Sequence, residues 1–420
     1  MKHTLKRLLP PRLLKILLHP YHWLRALAAN IRYGFPARGM RVIGVTGTNG
    51  KTTTVNYIAE ILQAAGHRVG VSTTANFRIG DEEWLNELNM TTTDPFQLQR
   101  LLRRMRNAEV DWVVLEVTSH ALDQYRVWGV PFQIATITNL TPDHMDYHGT
   151  MDRYAACKAR LLQRARQAVV LNHDDEWYEY FLQTPRHAVY SYGTNEDASV
   201  RVDRCQLSAQ GAQARLRYGE RVVHVDIALP GKFNVYNALA AAATAFGVEI
   251  PWQAVQTGLQ RLQYVPGRME SVDAGQSFDV IIDYAHTPEA FQAVLSDIRT
   301  LTKGRVIAVF GGAPTHDYEA LGRTAGANAD VAVVTDDEPM QMDPEQLRQS
   351  VRTAAEEADH AEVVEVADRE DAIAHAFSIA HPKDTVVLLG LGHQTCRRIG
   401  STRMPWQERQ VVEYLLEHRS

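Results

Sequence analysis

The chain has 420 residues, 45% hydrophobic and 22% charged, enough for two or three cored domains, and its formal net charge of −5 argues against nucleic acid as a partner of the whole chain. Three scattered cysteines, Cys157, Cys205 and Cys396, make neither a disulfide framework nor a zinc cluster, and point to a reducing cytoplasm. No apolar run reaches membrane-spanning length, and Leu13–Leu18, interrupted by Lys15, is too short for a signal peptide.

In chain order, the charge is uneven from the start. No Asp or Glu precedes Glu60, whereas Lys2, Lys6, Arg7, Arg12, Lys15, Arg25, Arg32, Arg38 and Arg41 do. Residues 1–38 form a basic segment in which Pro11–Leu18 and Tyr21–Tyr33, parted by Pro20, each read as an amphipathic helix. Residues 39–264 read as a central domain. Arg41–Val45 is a short strand, Thr52–Ala65 a helix, and Trp112–Val117 and Ala135–Thr138 are buried strands. Alternating strands and helices imply a mostly parallel sheet. Short alternating strands between Ala198 and Leu229 suggest a small antiparallel sheet, and an Ala-rich helix follows Asn234. Residues 265–420 repeat the α/β pattern, with strands Val280–Ile282, Val306–Phe310, Val331–Val334 and Val386–Leu389. The expected fold class is α/β, a P-loop central domain followed by a Rossmann-like domain, with ligands beyond the carboxyl ends of the strands.

The segment Gly44-Val45-Thr46-Gly47-Thr48-Asn49-Gly50-Lys51-Thr52-Thr53 lies between a strand and a helix, as a phosphate loop must. The loop glycines let backbone N–H groups turn inward to cradle phosphate oxygens, the helix start adds positive charge, Lys51 can neutralise phosphate, and the Thr52 or Thr53 hydroxyl can ligate Mg2+. The bland alternative is a glycine turn that merely joins strand to helix. Glu116 ends a buried strand, where a carboxylate can hold Mg2+ against phosphates.

Further along stand Glu116-Val117-Thr118-Ser119-His120 with Arg126, then Thr138-Asn139-Leu140-Thr141-Pro142-Asp143-His144-Met145-Asp146-Tyr147-His148-Gly149 and Tyr154-Ala155-Ala156-Cys157-Lys158. Gly231-Lys232-Phe233-Asn234-Val235-Tyr236-Asn237, Pro266-Gly267-Arg268-Met269-Glu270 and Asp283-Tyr284-Ala285-His286-Thr287-Pro288 follow. With the Gly-Thr-Asn-Gly-Lys-Thr loop, this ordered set resembles the Mur ligase family, nearest its branch that adds the third residue to UDP-N-acetylmuramoyl-dipeptide. The resemblance implies a cytoplasmic, monomeric ATP-dependent ligase of cell-wall synthesis that joins an amino acid to a peptide or glycopeptide acceptor. It implies two Mg2+ sites, drawing on Thr52, Glu116, His144 and a carbamylated Lys158. It also implies acceptor contacts at Thr91, Thr92, Thr118 and Arg126, adenine contacts at Asn234 and Asn237, a ribose contact at Asp283 and a phosphate contact at Arg268. The implied reaction passes through an acyl phosphate, with closure of the two large domains over ATP.

Two departures set this chain apart. Diaminopimelate-adding relatives carry Asp-Asn-Pro-Arg, where this chain has Asp337-Glu338-Pro339-Met340, and Met340 cannot make a bidentate carboxylate contact. The family's Gly-Lys-Gly-His-Glu reads Gly390-Leu391-Gly392-His393-Gln394, and Ala313-Pro314-Thr315-His316-Asp317 replaces a basic glycine-rich stretch. Asp337, Glu338, Met340, His393 and Gln394 are therefore the expected amino-acid pocket, with Glu338 a candidate selector for a basic amine. The second departure is the start, where the family's uridine-binding domain has no counterpart before the P-loop. Residues 1–35 are expected either to dock on the central domain or to lie on a membrane surface at the inner face. Other acceptors, lipid-linked, polyglutamate, cyanophycin-like or antibiotic peptide, fit the motifs too, as does a non-catalytic protein that kept the fold.

Overall fold

The structure, a computed structural model, describes residues 11–88, 90–184, 187–208 and 210–418. Lys2, Lys6 and Arg7 of the expected basic segment lie outside these residues, as do the side chains of Arg12 and Lys15. The chain divides into two compact units. One comprises residues up to Asp203 with Leu216–Val223 and Tyr236–Arg261, and the other Arg204–Arg215, His224–Val235 and Leu262–Ser420.

The first correction concerns the amino-terminal segment. One helix runs unbroken through Pro11–Tyr33, with Pro20 inside it, where two were expected. Proline removes one intrahelical hydrogen bond and crowds the preceding turn, which bends or weakens a helix without always ending it. Packing supplies the compensation downstream. Ala26, Ala29 and Asn30 are buried, and the Asn30 amide donates to the Trp128 carbonyl at 3.0 Å.

The large sheet has eleven strands. In chain order these are β1 (Arg41–Thr46), β2 (Val69–Ser72), β3 (Asn76–Ile79), β4 (Glu82–Leu85), β5 (Trp112–Glu116), β6 (Phe132–Ile137), β7 (Ala168–Asn172), β8 (Ala188–Gly193), β9 (Val200–Ser208), β10 (Gly211–Tyr218) and β11 (Arg221–Ile227). Their spatial order is β11-β10-β9-β8-β7-β6-β1-β5-β2-β3-β4. The run from β2 to β9 through β5, β1, β6, β7 and β8 is parallel, and β3 and β4 close one edge antiparallel. The short strands expected after Ala198 are present and extend the other edge of this sheet. Its central strands are buried apart from Arg41 at the start of β1, which is why they read as apolar runs.

The second unit holds a six-stranded sheet of β12 (Glu270–Ser271), β13 (Asp279–Asp283), β14 (Val306–Phe310), β15 (Val331–Val334), β16 (Glu362–Glu365) and β17 (Thr385–Leu389), ordered β12-β13-β17-β14-β15-β16. All neighbours are parallel except β12 with β13. Side-chain alternation splits its core cleanly. Ala308 and Phe310 join one buried cluster, and Ile307 and Val309 join the other. A two-stranded hairpin, β18 (Cys396–Ile399) with β19 (Thr402–Pro405), follows and was not foreseen. Its arginines and exposed strand β19 carry no apolar period to announce it.

Candidate nucleotide and ligation site

The phosphate loop has the form its sequence demands. Gly47 has φ +143° and Gly50 +80°, and a Cβ at either would collide, with the Thr138 hydroxyl and the Asn237 side chain respectively. Only glycine fits there. The loop is braced from the segment after β6. Thr48 N–H donates to the Asn139 carbonyl at 2.9 Å, Asn49 N–H to Asn139 Oδ1 at 2.9 Å, and the Thr138 hydroxyl to the Asn49 carbonyl at 2.6 Å. The helix Lys51–Ala64 then starts without a side-chain cap and without an acidic residue in its first turn. Such a terminus suits an anion, since its N–H groups and dipole are otherwise unmatched.

Lys51, Thr52 and Glu116 come together beside it. Thr52 Oγ1 donates to Glu116 Oε2 at 2.9 Å, and Lys51 Nζ lies 4.0 Å from Glu116 Oε1 while donating to the Thr48 carbonyl at 2.7 Å. Thr53 is buried in the same turn. Sequence reasoning missed Thr74. Its N–H donates to Glu116 Oε2 at 2.8 Å, and its hydroxyl lies 3.0 Å from Glu116 Oε1 and 2.9 Å from Thr91 Oγ1. The signal was the run Ser72-Thr73-Thr74 at the end of a strand. Among the described residues no group of three or more His, Cys, Asp or Glu would hold a metal by itself. A divalent cation at Glu116 and Thr52 would complete its shell with phosphate and water oxygens, which is how Mg2+ is ordinarily held.

Thr91, Thr92, Thr118 and Arg126 also cluster. The buried Thr92 hydroxyl donates to the Glu116 carbonyl at 2.9 Å and accepts from Thr118 N–H at 3.0 Å. The Thr118 hydroxyl caps the helix Ser119–Asp123 by accepting from Ala121 N–H at 3.1 Å. Arg126 donates to the Thr92 carbonyl at 2.7 Å, and burial lowers its pKa. Thr92 and Thr118 thus spend their hydroxyls on the frame, and Arg126 is the charged group they position.

Lys158 is 1% exposed, and its Nζ donates to the Gly47 carbonyl at 2.6 Å. Burial, then the like charge of Lys51, hold its pKa well below the ordinary lysine value. A neutral amine under the phosphate loop is a nucleophile, and CO2 is what would convert it to an anion. His144 is exposed, has φ +54° and heads the short helix Met145–His148, with Nδ1 3.4 Å from Asp143 Oδ1. Asp143, which sequence reasoning passed over, also acts electrostatically on Lys158. His148 is buried, its Nε2 2.9 Å from Ser119 Oγ. Asn237 sits beside the loop, its Oδ1 3.4 Å from the Thr54 hydroxyl.

In the second unit, Asn234 is buried and donates to the Pro230 carbonyl at 2.7 Å. Asp283 ends β13 and takes the N–H groups of Met269 and Ala285, each at 2.7 Å, while burial raises its pKa. The Arg268 guanidinium lies 4.7 Å from the centre of the Tyr284 ring. Tyr284 in turn is 4.7 Å from the rings of both His286 and His393.

The expected amino-acid pocket divides into an anchor and an open end. Asp337 is buried against Arg369, which also binds Glu408. Burial raises Asp337 to about 6 despite that partner. It is therefore committed to the interior, where a substrate contact had been expected. Met340, at φ +51°, donates its N–H to the Arg398 carbonyl at 3.1 Å, so the unforeseen hairpin β18–β19 braces this segment. Glu338 Oε1 and Gln394 Oε1 are both buried without a hydrogen-bond partner among the described residues, the nearest guanidinium atom to Glu338 being Arg398 Nε at 4.0 Å. Burial also raises the Glu338 pKa, against the charge of Arg398 and hydrogen bonds to the carboxylate from the Gln394 side chain and the Arg398 N–H.

A phosphate loop carried by a parallel sheet, with a lysine and a carboxylate converging on it, defines a P-loop nucleotide-dependent enzyme. Comparison with known proteins places it further. The Mur ligase middle domain matches residues 45–245, and the Mur ligase glutamate ligase domain matches residues 267–392. The chain is 35% identical over 400 residues to the UDP-N-acetylmuramoyl-L-alanyl-D-glutamate–2,6-diaminopimelate ligase of Syntrophomonas wolfei, covering 94% of this chain and 81% of that one. It is 37% identical over 404 residues to the UDP-N-acetylmuramyl-tripeptide synthetase of Roseiflexus, covering 90% and 78%. A solved diaminopimelate ligase of the same type superposes with a TM-score of 0.65 at 30% identity, over 91% of this chain and 79% of that one. The ADP complex of folylpolyglutamate synthase from Mycobacterium tuberculosis, with a TM-score of 0.71 at 22% identity over 87% and 91%, shares the fold. The chain belongs to the Mur ligase family and is an ATP-dependent acid–amino-acid ligase.

Proposed function

We propose that this enzyme joins an amino acid to the carboxylate of a muramoyl-peptide-like cell-wall precursor through an acyl phosphate. The observation that carries the reading is the cluster of Lys51, Thr52 and Glu116 at an uncapped helix terminus. In the first step an acceptor carboxylate oxygen attacks the γ-phosphorus, the bond to the ADP oxygen breaks, and Lys51 shifts from the Thr48 carbonyl to the developing charge. In the second, the amine nitrogen attacks the acyl carbon and inorganic phosphate departs. Mg2+, when bound, would neutralise phosphate charge, held by Glu116 and Thr52 at one site and by His144 and a carbamylated Lys158 at a second. The low proton affinity of Lys158 is what favours carbamylation.

Thr91 and Arg126 bind the acceptor in this reading, with Thr92 and Thr118 as their frame. Asn234 and Asn237 contact adenine, Asp283 the ribose and Arg268 a phosphate. The amino acid enters at Glu338, Met340, His393 and Gln394. Two buried oxygens, Glu338 Oε1 and Gln394 Oε1, have no hydrogen-bond partner among the described residues and favour a substrate that brings an ammonium group, and Met340 offers nothing to a distal carboxylate. The relatives named for diaminopimelate therefore set the reaction type for this chain and not its amine.

The test is phosphate release with ATP, candidate acceptors and an amino-acid panel. Release should need all three components and favour lysine or ornithine over diaminopimelate. Release that ignores the acceptor, or prefers an anionic amine, overturns the reading. A lipid-linked acceptor is the second reading, favoured by the basic start of the chain, and the same assay with soluble and lipid-linked acceptors separates the two.

A further inference from the structure

The helix Pro11–Tyr33 is docked by one face and bare on the other. Its inner face buries Ala26, Ala29 and Asn30, and Arg25 pairs with Asp94 at 3.7 Å. The outer face carries Tyr21, Leu24, Ala28 and Ile31, spaced three, four and three residues apart and therefore in one stripe. Tyr21 is 41% exposed, Leu24 56% and Ile31 61%. A helix that only docks on its own protein would turn such residues inward and leave polar ones outside. Here the small residues face in and the large apolar ones face out.

Charge identifies the occupant of that stripe. Arg25 and Arg32 flank it, and the sequence before Glu60 contains ten lysines and arginines and no acid. A second copy of the chain is disfavoured, because two-fold pairing through this face would set like charges against each other. The helix is also too short in apolar sequence to cross a membrane. We infer that the outer face of this helix lies on an anionic lipid surface, with Tyr21, Leu24 and Ile31 in the interface and the arginines at the headgroups. The docked inner face fixes the helix to its unit, so the membrane meets a preformed platform. This inference stands apart from the ligase reading, since binding is measured without turnover.

The experiment is sedimentation of the full chain with phosphatidylglycerol vesicles and with phosphatidylcholine vesicles. The expected result is capture by phosphatidylglycerol that salt weakens, with less capture by phosphatidylcholine. The exposed double substitution Leu24→Glu/Ile31→Glu should lower capture about tenfold or more, by removing two buried apolar side chains. Leu24→Phe/Ile31→Phe should retain it, and Arg32→Glu should reduce its salt-sensitive part. Unchanged circular dichroism establishes that the variants fold. Failure of the natural chain to sediment with phosphatidylglycerol, equal capture of the Glu double variant, or a dimer in solution that this variant dissolves would each overturn the inference.

Discussion

Glu116 Oε2 accepts the Thr52 hydroxyl at 2.9 Å, which ties the end of β5 to the first turn of the helix that starts at Lys51. The same oxygen takes Thr74 N–H at 2.8 Å, so the carboxylate is oriented before any phosphate arrives. Preorganised charge of this kind needs no rearrangement when the transferring phosphoryl group gains charge. Glu116→Gln should lower kcat by about 10²- to 10³-fold, with circular dichroism unchanged, because the amide keeps the shape and loses the charge. Steady-state phosphate release measures it, and a kcat within twofold of the natural enzyme would remove Glu116 from the chemistry.

Lys158 offers a test through pH and CO2. Its lowered pKa leaves the amine neutral over more of the physiological range than an ordinary lysine, and only the neutral form reacts with CO2. Activity should fall on acidification, as the amine protonates, and fall again in CO2-depleted buffer at neutral pH. Bicarbonate should restore the second loss. Lys158→Ala should be inactive and insensitive to bicarbonate. A pH profile that bicarbonate leaves unmoved would contradict the carbamate.

Arg369 is fully buried between Asp337 and Glu408. Removing it strands two buried carboxylates, so Arg369→Ala should destabilise the second unit by roughly 3–5 kcal/mol. Thermal melting measures the loss. The raised Asp337 also fixes a sign. Between the ordinary value of 3.8 and about 6 the folded protein holds a proton that the unfolded chain releases. That contribution to stability is complete below this window and is lost as pH rises through it. Asp337→Asn should remove the slope.

The amino-acid pocket gives an exchange of preference. Glu338→Gln should raise KM for a basic amino acid about tenfold, a loss of about 1.4 kcal/mol of binding, with kcat nearly unchanged. Met340→Arg should improve use of diaminopimelate by supplying a guanidinium for its distal carboxylate. Competition assays with mixed amino acids read both. An unaltered preference in both variants would place specificity elsewhere.

Much of this was legible in the sequence, and unevenly so. The phosphate loop is local, so Gly47 to Thr53 declared both its shape and its use. The buried strands β1, β5, β13, β14, β15 and β17 showed as apolar runs. β16, with Glu362 and Glu365 at its ends, did not, because a partly exposed edge strand lacks that pattern. Thr74 was hidden because its partner, Glu116, lies 42 residues away and only the β2–β5 pairing brings them together. Asp337 misled for a similar reason. Its motif marks the pocket, but Arg369 and Glu408, which turn its carboxylate inward, come from distant helices. Pro20 argued for a break that packing overrode.

The central claim is that Lys51, Thr52 and Glu116 activate a carboxylate with ATP so that an amine can be joined to it. Mass spectrometry of products from ATP, a muramoyl-dipeptide acceptor and a mixed amino-acid pool tests it most directly, with ADP counted in parallel. The expected result is acceptor extended by one amino-acid residue, one ADP per bond formed, and no product from Lys51→Ala. ADP formed without an extended acceptor, or the same product from Lys51→Ala, would contradict it.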